Sequence, residues 1–243
     1  MKKQVKYDLF VIGSGGTGTY FLKEISRFLY GEKAKMFSKL VIFDGDIVEE
    51  KNLKRQCFLP EDVGYKKSAV MADVLNGAFD LSWIANVEYV TELSQLEEYC
   101  SKPTPYANTV FIPVVICCAD NHGCRKLLEE FFHSRENCVY FDSANEFATG
   151  EVVFTYKFKN KVVGACRSEI FPDMLTGDTR SVLEMSCEEL NNSSPQHIFV
   201  NMLAGNILCS AVANLLEDCL HPGVTLFNCL EFNTSFRPWK GEC

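Results

Sequence analysis

The sequence predicts an α/β fold with an open sheet that is parallel in its first half, antiparallel at one edge and covered by helices on both faces. The apolar run 9–12 enters a glycine-rich turn and then a segment with helical apolar spacing. Strand and helix patterns alternate from there to residue 142, whereas residues 151–163 have hairpin patterns. This order of elements is typical of a Rossmann-like sheet.

Each later element has a signal of its own. Hydrophobic periodicity and turn residues predict strands at 40–43, about 83–90, 110–118 and 138–142, and helices at 67–75, about 94–99 and 122–132. The strands 151–156 and 161–163 pair across a turn at Lys159 and Asn160. Residues 166–195 are polar and aperiodic, which predicts a mobile loop within one domain spanning 1–243.

Composition narrows the class of protein. With 243 residues, 47% apolar content and 23% charged residues, the chain can bury the core of one globular domain. A net charge of −8 disfavours a general nucleic-acid binder, because such proteins carry basic surfaces. No secretory signal precedes the first strand, so we expect the twelve cysteines to be reduced and the protein to be cytoplasmic.

The uncharged segment 198–216 is near the length that spans a membrane. It contains Asn201, Gly205, Asn206, Ser210 and Asn214, however. We therefore expect a buried helix and no membrane association.

The glycine turn predicts a phosphate site. Its glycines are Gly13, Gly15, Gly16 and Gly18. Glycine lets the backbone turn tightly and approach an anion, so that amide N–H groups and the positive end of the helix dipole face it. Glycines also allow a helix to pack close to a strand, so the turn alone is a weak signal.

The residues after the second strand distinguish a triphosphate from a dinucleotide. Asp44 and Asp46 end that strand, and an acid there normally accepts hydrogen bonds from ribose hydroxyls. Asn52, Arg55 and Lys67 follow in order. Cations at these positions suit the phosphates of ATP, bridged by Mg²⁺, and are unexplained by NAD.

Asp120 comes directly after the strand 110–118, where open α/β sheets bind their ligands. A carboxylate there can hold Mg²⁺. Asp120 and Asn121 also precede a predicted helix, so Asp120 has a second expected role as its N-cap.

These residues together resemble the ThiF/MoeB family, the bacterial relatives of ubiquitin-activating enzymes. The resemblance rests on the ordered glycine turn, Asp-x-Asp, Asn-x-x-Arg-Gln, Gly-x-x-Lys and Ala-Asp-Asn patterns. It implies ATP-dependent adenylation of the C-terminal carboxylate of a ubiquitin-like protein. It further implies that Gly15 and Gly18 line the phosphate loop, Asp44 binds ribose, Asn52, Arg55 and Lys67 hold the phosphates, and Asp120 positions Mg²⁺.

The second half of the chain looks most like the ThiF-like proteins of PRTRC systems, on patterns such as Phe171-Pro172 and Phe199-Val200-Asn201. The family resemblance implies a homodimer. Relatives often carry an Arg-containing helix before the first strand, and Lys2, Lys3 and Arg27 are the candidates here to supply that charge.

Two further expectations concern cysteine. Cys187 matches a position that some relatives use for sulfur transfer or thioester formation, but three nearby glutamates disfavour a thiolate, so an incidental cysteine is an equal alternative. Relatives often bind zinc through two Cys-x-x-Cys pairs. Only Cys166 and Cys243 stand in the corresponding regions, so we predict no zinc. We expect adjacent Cys117 and Cys118 to pack in the core.

Two other functions remain open at this stage. An NAD-dependent oxidoreductase shares the glycine turn and Asp44 but leaves Arg55 and Lys67 without a role. A non-catalytic module that recruits a ubiquitin-like protein is compatible with the missing zinc pairs and arginine helix.

Overall fold

A computed structural model describes residues 4–103, 108–172 and 196–239. The strands are β1 (Gln4–Ile12), β2 (Phe37–Phe43), β3 (Trp83–Asn86), β4 (Thr109–Cys117), β5 (Cys138–Asn145), β6 (Thr149–Phe158), β7 (Lys161–Val163), β8 (Gly223–Asn228) and β9 (Asn233–Pro238). The α-helices in these ranges are α1 (Gly16–Leu29), α2 (Lys67–Phe79), α3 (Leu93–Glu97), α4 (His122–Ser134), α5 (Arg167–Ile170) and α6 (Ile198–Leu216).

The strands form one sheet in the order β3-β2-β1-β4-β5-β6-β8-β9, with β7 paired to β6. The pairs from β3 to β5 are parallel, and every pair from β5 to β9 is antiparallel. The predicted fold class is therefore confirmed. Because β1 lies between β2 and β4, the segments that follow these three strands meet at one edge of the sheet.

The core lies on both faces of the sheet. Along β1, Leu9 and Val11 belong to one apolar cluster, while Phe10 and Ile12 belong to the other. This alternation follows from the period of two along a strand. Helices α1, α2 and α6 cover the first cluster, and α3 and α4 cover the second, so the prediction of helices on both faces is also confirmed.

Helix α6 has the predicted bounds and packs against α1. A Cβ on Gly205 would lie 2.9 Å from the Phe21 backbone nitrogen, so glycine is what allows the two helices to approach this closely. Within the described residues, α6 is the one helix long and apolar enough to cross a membrane by length and composition. Its buried face includes Val200, Leu208 and Val212.

The observed elements differ from the predicted ones in three places. The third strand ends at Asn86, short of residue 90, and β8 and β9 were not predicted as strands. The first residues of the expected loop 166–195 form helix α5 instead, and Arg167 on this helix is buried and paired with Asp142 and Glu151. Residues 173–195, on which most of that prediction falls, lie outside the described residues.

Candidate functional site

The glycine turn joins β1 to α1 at the carboxyl edge of the parallel strands. Gly13 has φ +93°, and a Cβ there would lie 3.1 Å from the carbonyl carbon and oxygen of Cys118. A side chain at this position would therefore be strained and crowded. Gly15 is the N-cap of α1, no side chain caps this end, and its first turn holds no acidic residue. The N-terminal N–H groups of α1 are thus available to an anion.

Asp44 ties the end of β2 to this turn. Its Oδ2 accepts hydrogen bonds from the Ser14 backbone nitrogen at 2.6 Å and from Ser14 Oγ at 2.8 Å. Its Oδ1 accepts from the Asp46 backbone nitrogen at 2.9 Å. The side chain is buried, and it holds the glycine turn in shape. Ribose binding by Asp44 stays a prediction.

Asp46 and Lys67 form an ion pair beside Asp44. Lys67 Nζ lies 2.7 Å from Asp46 Oδ2, and the Lys67 side chain is only 7% exposed, against 46% for Asp46. The backbone nitrogen of Lys67 also donates to the backbone carbonyl oxygen of Asp46 at 3.0 Å. This bond joins the start of α2 to the segment that follows β2. The hydroxyl of Tyr89 donates to Asp46 Oδ1. A buried cation is therefore held next to the glycine turn.

The segment carrying Asn52 and Arg55 lies against the start of α1. Asn52 is buried, and its Oδ1 accepts from the Glu49 backbone nitrogen at 2.8 Å, so it shapes the turn that presents the segment. The Cys57 backbone nitrogen donates to Thr19 Oγ1 at 3.3 Å. Arg55 is half-buried and forms no ion pair with the described residues, which leaves its guanidinium available to an anion.

Gln56 belongs to the Asn-x-x-Arg-Gln pattern, but the sequence interpretation gave it no role. A Cβ on Gly15 would lie 3.8 Å from its Nε2, so the amide borders the glycine turn. Its buried Oε1 has no hydrogen-bond partner in the described part of the chain. Gln56 is thus a polar group beside the turn with an unused acceptor.

Asp120 lies at the carboxyl end of β4, next to the turn, and is exposed. The prediction that it caps the following helix is wrong: the N-cap of α4 is Asn121, whose Oδ1 accepts from the Cys124 nitrogen at 2.8 Å. In the described ranges no cluster of three or more His, Cys, Asp and Glu could hold a metal by itself. Magnesium bound with phosphates needs only one or two carboxylates, and Asp120 fits that role.

A polar cluster from three distant parts of the chain lies behind the turn. Asn145 Nδ2 donates to Thr17 Oγ1 at 2.7 Å and approaches Asn201 Oδ1 at 3.3 Å. A Cβ on Gly16 would overlap the Asn201 amide. Sequence spacing could not reveal this cluster, because Thr17 and Asn201 are 184 positions apart.

A buried ionic cluster lies on the β5 side of the site. Asp142 is fully buried, and its Oδ1 lies 3.2 Å from Arg125 Nε and 3.0 Å from Arg167 Nε. Tyr140 donates to its other oxygen at 2.8 Å. Burial lowers the pKa of Arg125, but Asp142 and smaller contributions from Asp120 and other acidic neighbours together raise it on balance. The cluster joins α4, β5 and α5 and has a structural role.

The cysteines of the described ranges are free thiols. Cys117 and Cys118 contact opposite apolar clusters, as expected for core positions on a strand. Burial raises the pKa of the Cys118 and Cys166 thiols, which makes both poor nucleophiles. Cys187 and Cys243 lie outside the described residues, so the predictions about catalysis and zinc stay predictions.

Arg27, a candidate to supply the charge of the arginine helix that relatives often carry, forms an exposed ion pair with Glu24 on α1 at 2.8 Å.

The site therefore assembles the glycine turn, Asp44, Asp46 and Lys67 as the sequence predicted, with Asp120 on the neighbouring strand end. Tyr89, Gln56 and Asn201 are additional. Tyr89 follows β3, whose carboxyl end is at the same sheet edge, so the rule that predicted Asp120 could also have pointed to it. Nothing in the sequence pattern signals the contacts of Asn201.

Comparison with family models identifies the family of this chain. The model of the ThiF family matches residues 1–238. Ubiquitin-activating enzyme E1 1 of Arabidopsis thaliana is 36% identical over 89 residues, which are 35% of this chain and 8% of that protein.

Solved structures share the fold. A crystal structure of PaaA superposes with a TM-score of 0.64 at 14% identity, covering 96% of this chain and 64% of PaaA. E. coli MccB crystallised with ATP superposes with a TM-score of 0.65 at 16% identity, covering 98% of this chain and 64% of MccB. The chain thus spans just under two thirds of these structures and a small part of the plant enzyme. Since the family model matches nearly the whole sequence, the chain belongs to the ThiF family.

Proposed function

We propose that this protein uses ATP to adenylate the C-terminal carboxylate of a ubiquitin-like or sulfur-carrier-like protein. The observation that carries the proposal is the buried Lys67 ammonium, held by Asp46 at the sheet edge where α1 begins with an uncapped N-terminus. Two sources of positive potential converge there, and phosphate groups are the ligands that such an arrangement binds.

Different residues of the site bind different parts of the ATP molecule. The amide groups at the start of α1 receive phosphate oxygens, and Lys67 and Arg55 neutralise the remaining charge. Asp44 keeps the turn in shape and retains lone pairs for ribose hydroxyls. Asp120 would hold Mg²⁺, which supplies charge neutralisation to the phosphates when bound.

The reaction is a displacement at the α-phosphorus. An oxygen of the substrate carboxylate forms a bond to that phosphorus while the bond to the bridging oxygen breaks, and pyrophosphate leaves with the electron pair. The carboxylate is already ionised, so no general base is needed. Lys67 and Arg55 contribute by positioning the phosphates and by stabilising charge as it moves onto pyrophosphate.

The relatives support this choice over the alternatives. MccB has been crystallised with ATP and with MccA, and the plant relative is a ubiquitin-activating enzyme. Membership of the same family favours ATP over NAD. A homodimer, a cytoplasmic location, kinship with PRTRC systems and a second step at Cys187 are further parts of the proposal.

ATP–pyrophosphate exchange tests the proposal. We expect exchange that depends on a ubiquitin-like protein with an intact C-terminus and is lost when its last residues are removed. Thermal unfolding with ATP-Mg²⁺ and with NAD provides the comparison, because the ligand that binds more tightly raises the melting temperature further. A larger shift with NAD contradicts the proposal, and ATP binding without exchange favours a recruiting module.

A further inference from the structure

Tyr89 lies over the end of β2. Its ring covers the backbone of Gly45, where a Cβ would lie only 2.7 Å from Cδ2 of the ring. The ring also borders a cavity of about 430 Å³, together with Lys66, Val87 and Gln95. Glycine at position 45 is therefore what lets Tyr89 reach Asp46.

The backbone at Tyr89 is held by the segment that follows it. Gln95 Nε2 donates a hydrogen bond to the backbone carbonyl oxygen of Tyr89 at 3.0 Å. The Oε1 atom of the same amide accepts from the backbone nitrogens of Thr91 at 2.7 Å and Glu92 at 3.0 Å. The hydrogen bonds of Gln95 thus fix the backbone from which the Tyr89 side chain extends.

The Asp46 carboxylate connects Tyr89 to the buried cation. The tyrosine hydroxyl donates to Oδ1, and Lys67 Nζ lies 2.7 Å from Oδ2. With both oxygens engaged, the carboxylate cannot rotate freely, and the ammonium has one fixed partner. An arrangement in which one residue fixes the rotamer of another is typical of preorganised sites.

We propose that Tyr89 is a positioning residue for the phosphate-binding Lys67 and that it acts through Asp46. The inference rests on the proposed use of ATP. Among the described residues no hydrogen bond or cation–π contact joins Tyr89 to the glycine turn or to Lys67, so its effect on phosphate binding passes through the carboxylate.

The charge balance around Asp46 is consistent with this role. Burial raises the Asp46 pKa, but Lys67, Tyr89 and Lys66 together lower it on balance, so the carboxylate is ionised and can hold the ammonium. Burial and the hydrogen bond to Asp46 raise the pKa of Tyr89. Asp44 adds to that rise. The phenol therefore stays a donor at physiological pH.

The test is Tyr89→Phe, which removes the hydroxyl and leaves the ring over Gly45. We expect the Kd for ATP-Mg²⁺ to rise about threefold to tenfold, the range for loss of one hydrogen bond. Tyr65→Phe is the matched control, since that side chain is 65% exposed and its hydroxyl makes no hydrogen bond to the described site residues. In an Asp46→Asn background, the same change at Tyr89 should have a much smaller effect.

A second readout does not need ATP. Brief treatment with acetic anhydride followed by peptide mass spectrometry measures how accessible the Lys67 amine is, and we expect faster acetylation in Tyr89→Phe than in the wild type or Tyr65→Phe. Failure of the wild type to bind ATP overturns the proposed function and this inference together. Normal wild-type binding with unchanged ATP affinity and Lys67 acetylation in Tyr89→Phe overturns only the role of Tyr89. An equal effect in the Asp46→Asn background contradicts action through the carboxylate.

Discussion

Asp44 Oδ2 lies 2.6 Å from the backbone nitrogen of Ser14 and 2.8 Å from its hydroxyl oxygen, so one carboxylate oxygen of β2 holds the turn that follows β1. The glycine turn thus depends on the neighbouring strand for its shape.

Substitution of Asp44 by Asn should damage stability and binding together. The amide has one acceptor oxygen where the carboxylate has two, so either Ser14 or Asp46 loses its partner. We expect the free energy of unfolding to fall by about 1–3 kcal/mol and ATP to bind at least about tenfold more weakly. Urea unfolding and calorimetric titration measure these effects. The exposed Asp73→Asn is the control, and equal losses in both variants would refute the explanation.

The two partners of the Asp46–Lys67 pair should not be equivalent. In Asp46→Asn the Lys67 ammonium is left buried without its counter-charge, whereas in Lys67→Met the half-exposed Asp46 can be hydrated. We expect the Asp46 variant to lose more stability, by about 1–3 kcal/mol, because an uncompensated buried charge is costly. Denaturant unfolding of both variants tests the order. Lys67→Met should nevertheless bind ATP less well, and a less stable Lys67→Met than Asp46→Asn would contradict the burial argument.

Asp8 should make stability depend on pH. It is fully buried within β1, and burial raises its pKa above the ordinary 3.8 despite hydrogen bonds from Ser101. Because the folded state then holds the proton more tightly than the unfolded state, Asp8 favours folding most below pH 3.8, and this contribution is lost as pH rises through the folded pKa.

Asp8→Asn tests that dependence, since the amide does not titrate. The stability of the wild type relative to the variant should increase as the pH is lowered from 7 toward 4, as measured by urea unfolding at several pH values. A difference that stays constant, or that grows with rising pH, would show that the carboxyl pKa is not raised.

Gly16 should tolerate alanine only if Asn201 is shortened. The added Cβ overlaps the Asn201 amide, so Gly16→Ala should lose about 1–3 kcal/mol, the usual range for overpacking, and Asn201→Ala should restore part of it. Gly77→Ala is the matched control in α2, because a Cβ there meets nothing within 4 Å. That control should gain about 0.5–1 kcal/mol from helix propensity. Strictly additive effects of the Gly16 and Asn201 changes in thermal unfolding would rule out the overlap.

The order of elements and the grouping of Asp46 and Lys67 at the sheet edge could be predicted because both have local signals. Lys67 and Asp46 stand beside strong strand and helix patterns, and the parallel arrangement brings strand ends together. Strand β9 could not be predicted, since all six of its residues are exposed and no alternation of apolar and polar side chains marks it.

Sequence reasoning could place Tyr89 at the sheet edge, but it could not reveal the contacts that Tyr89 and Asn201 make, for a different reason. Each depends on how closely two distant segments approach, and that approach is set by a glycine on the opposite segment, Gly45 or Gly16. Asp120 and Asn121 are adjacent, and sequence patterns do not locate a helix end to within one residue. They therefore could not decide which of the two caps α4.

The contact of α6 with α1 has a consequence for how this protein can be divided. The parallel half carries the glycine turn and Lys67, yet Asn201 and Gly205 come from the far end of the chain and form the wall against which α1 is seated. A fragment that ends after β5 would expose the apolar face of α1 to water and would lack the Asn201 side chain that packs against the glycine turn. The parallel half and the C-terminal helix therefore share one apolar core, and we expect a truncation after β5 to destabilise α1 and the glycine turn together.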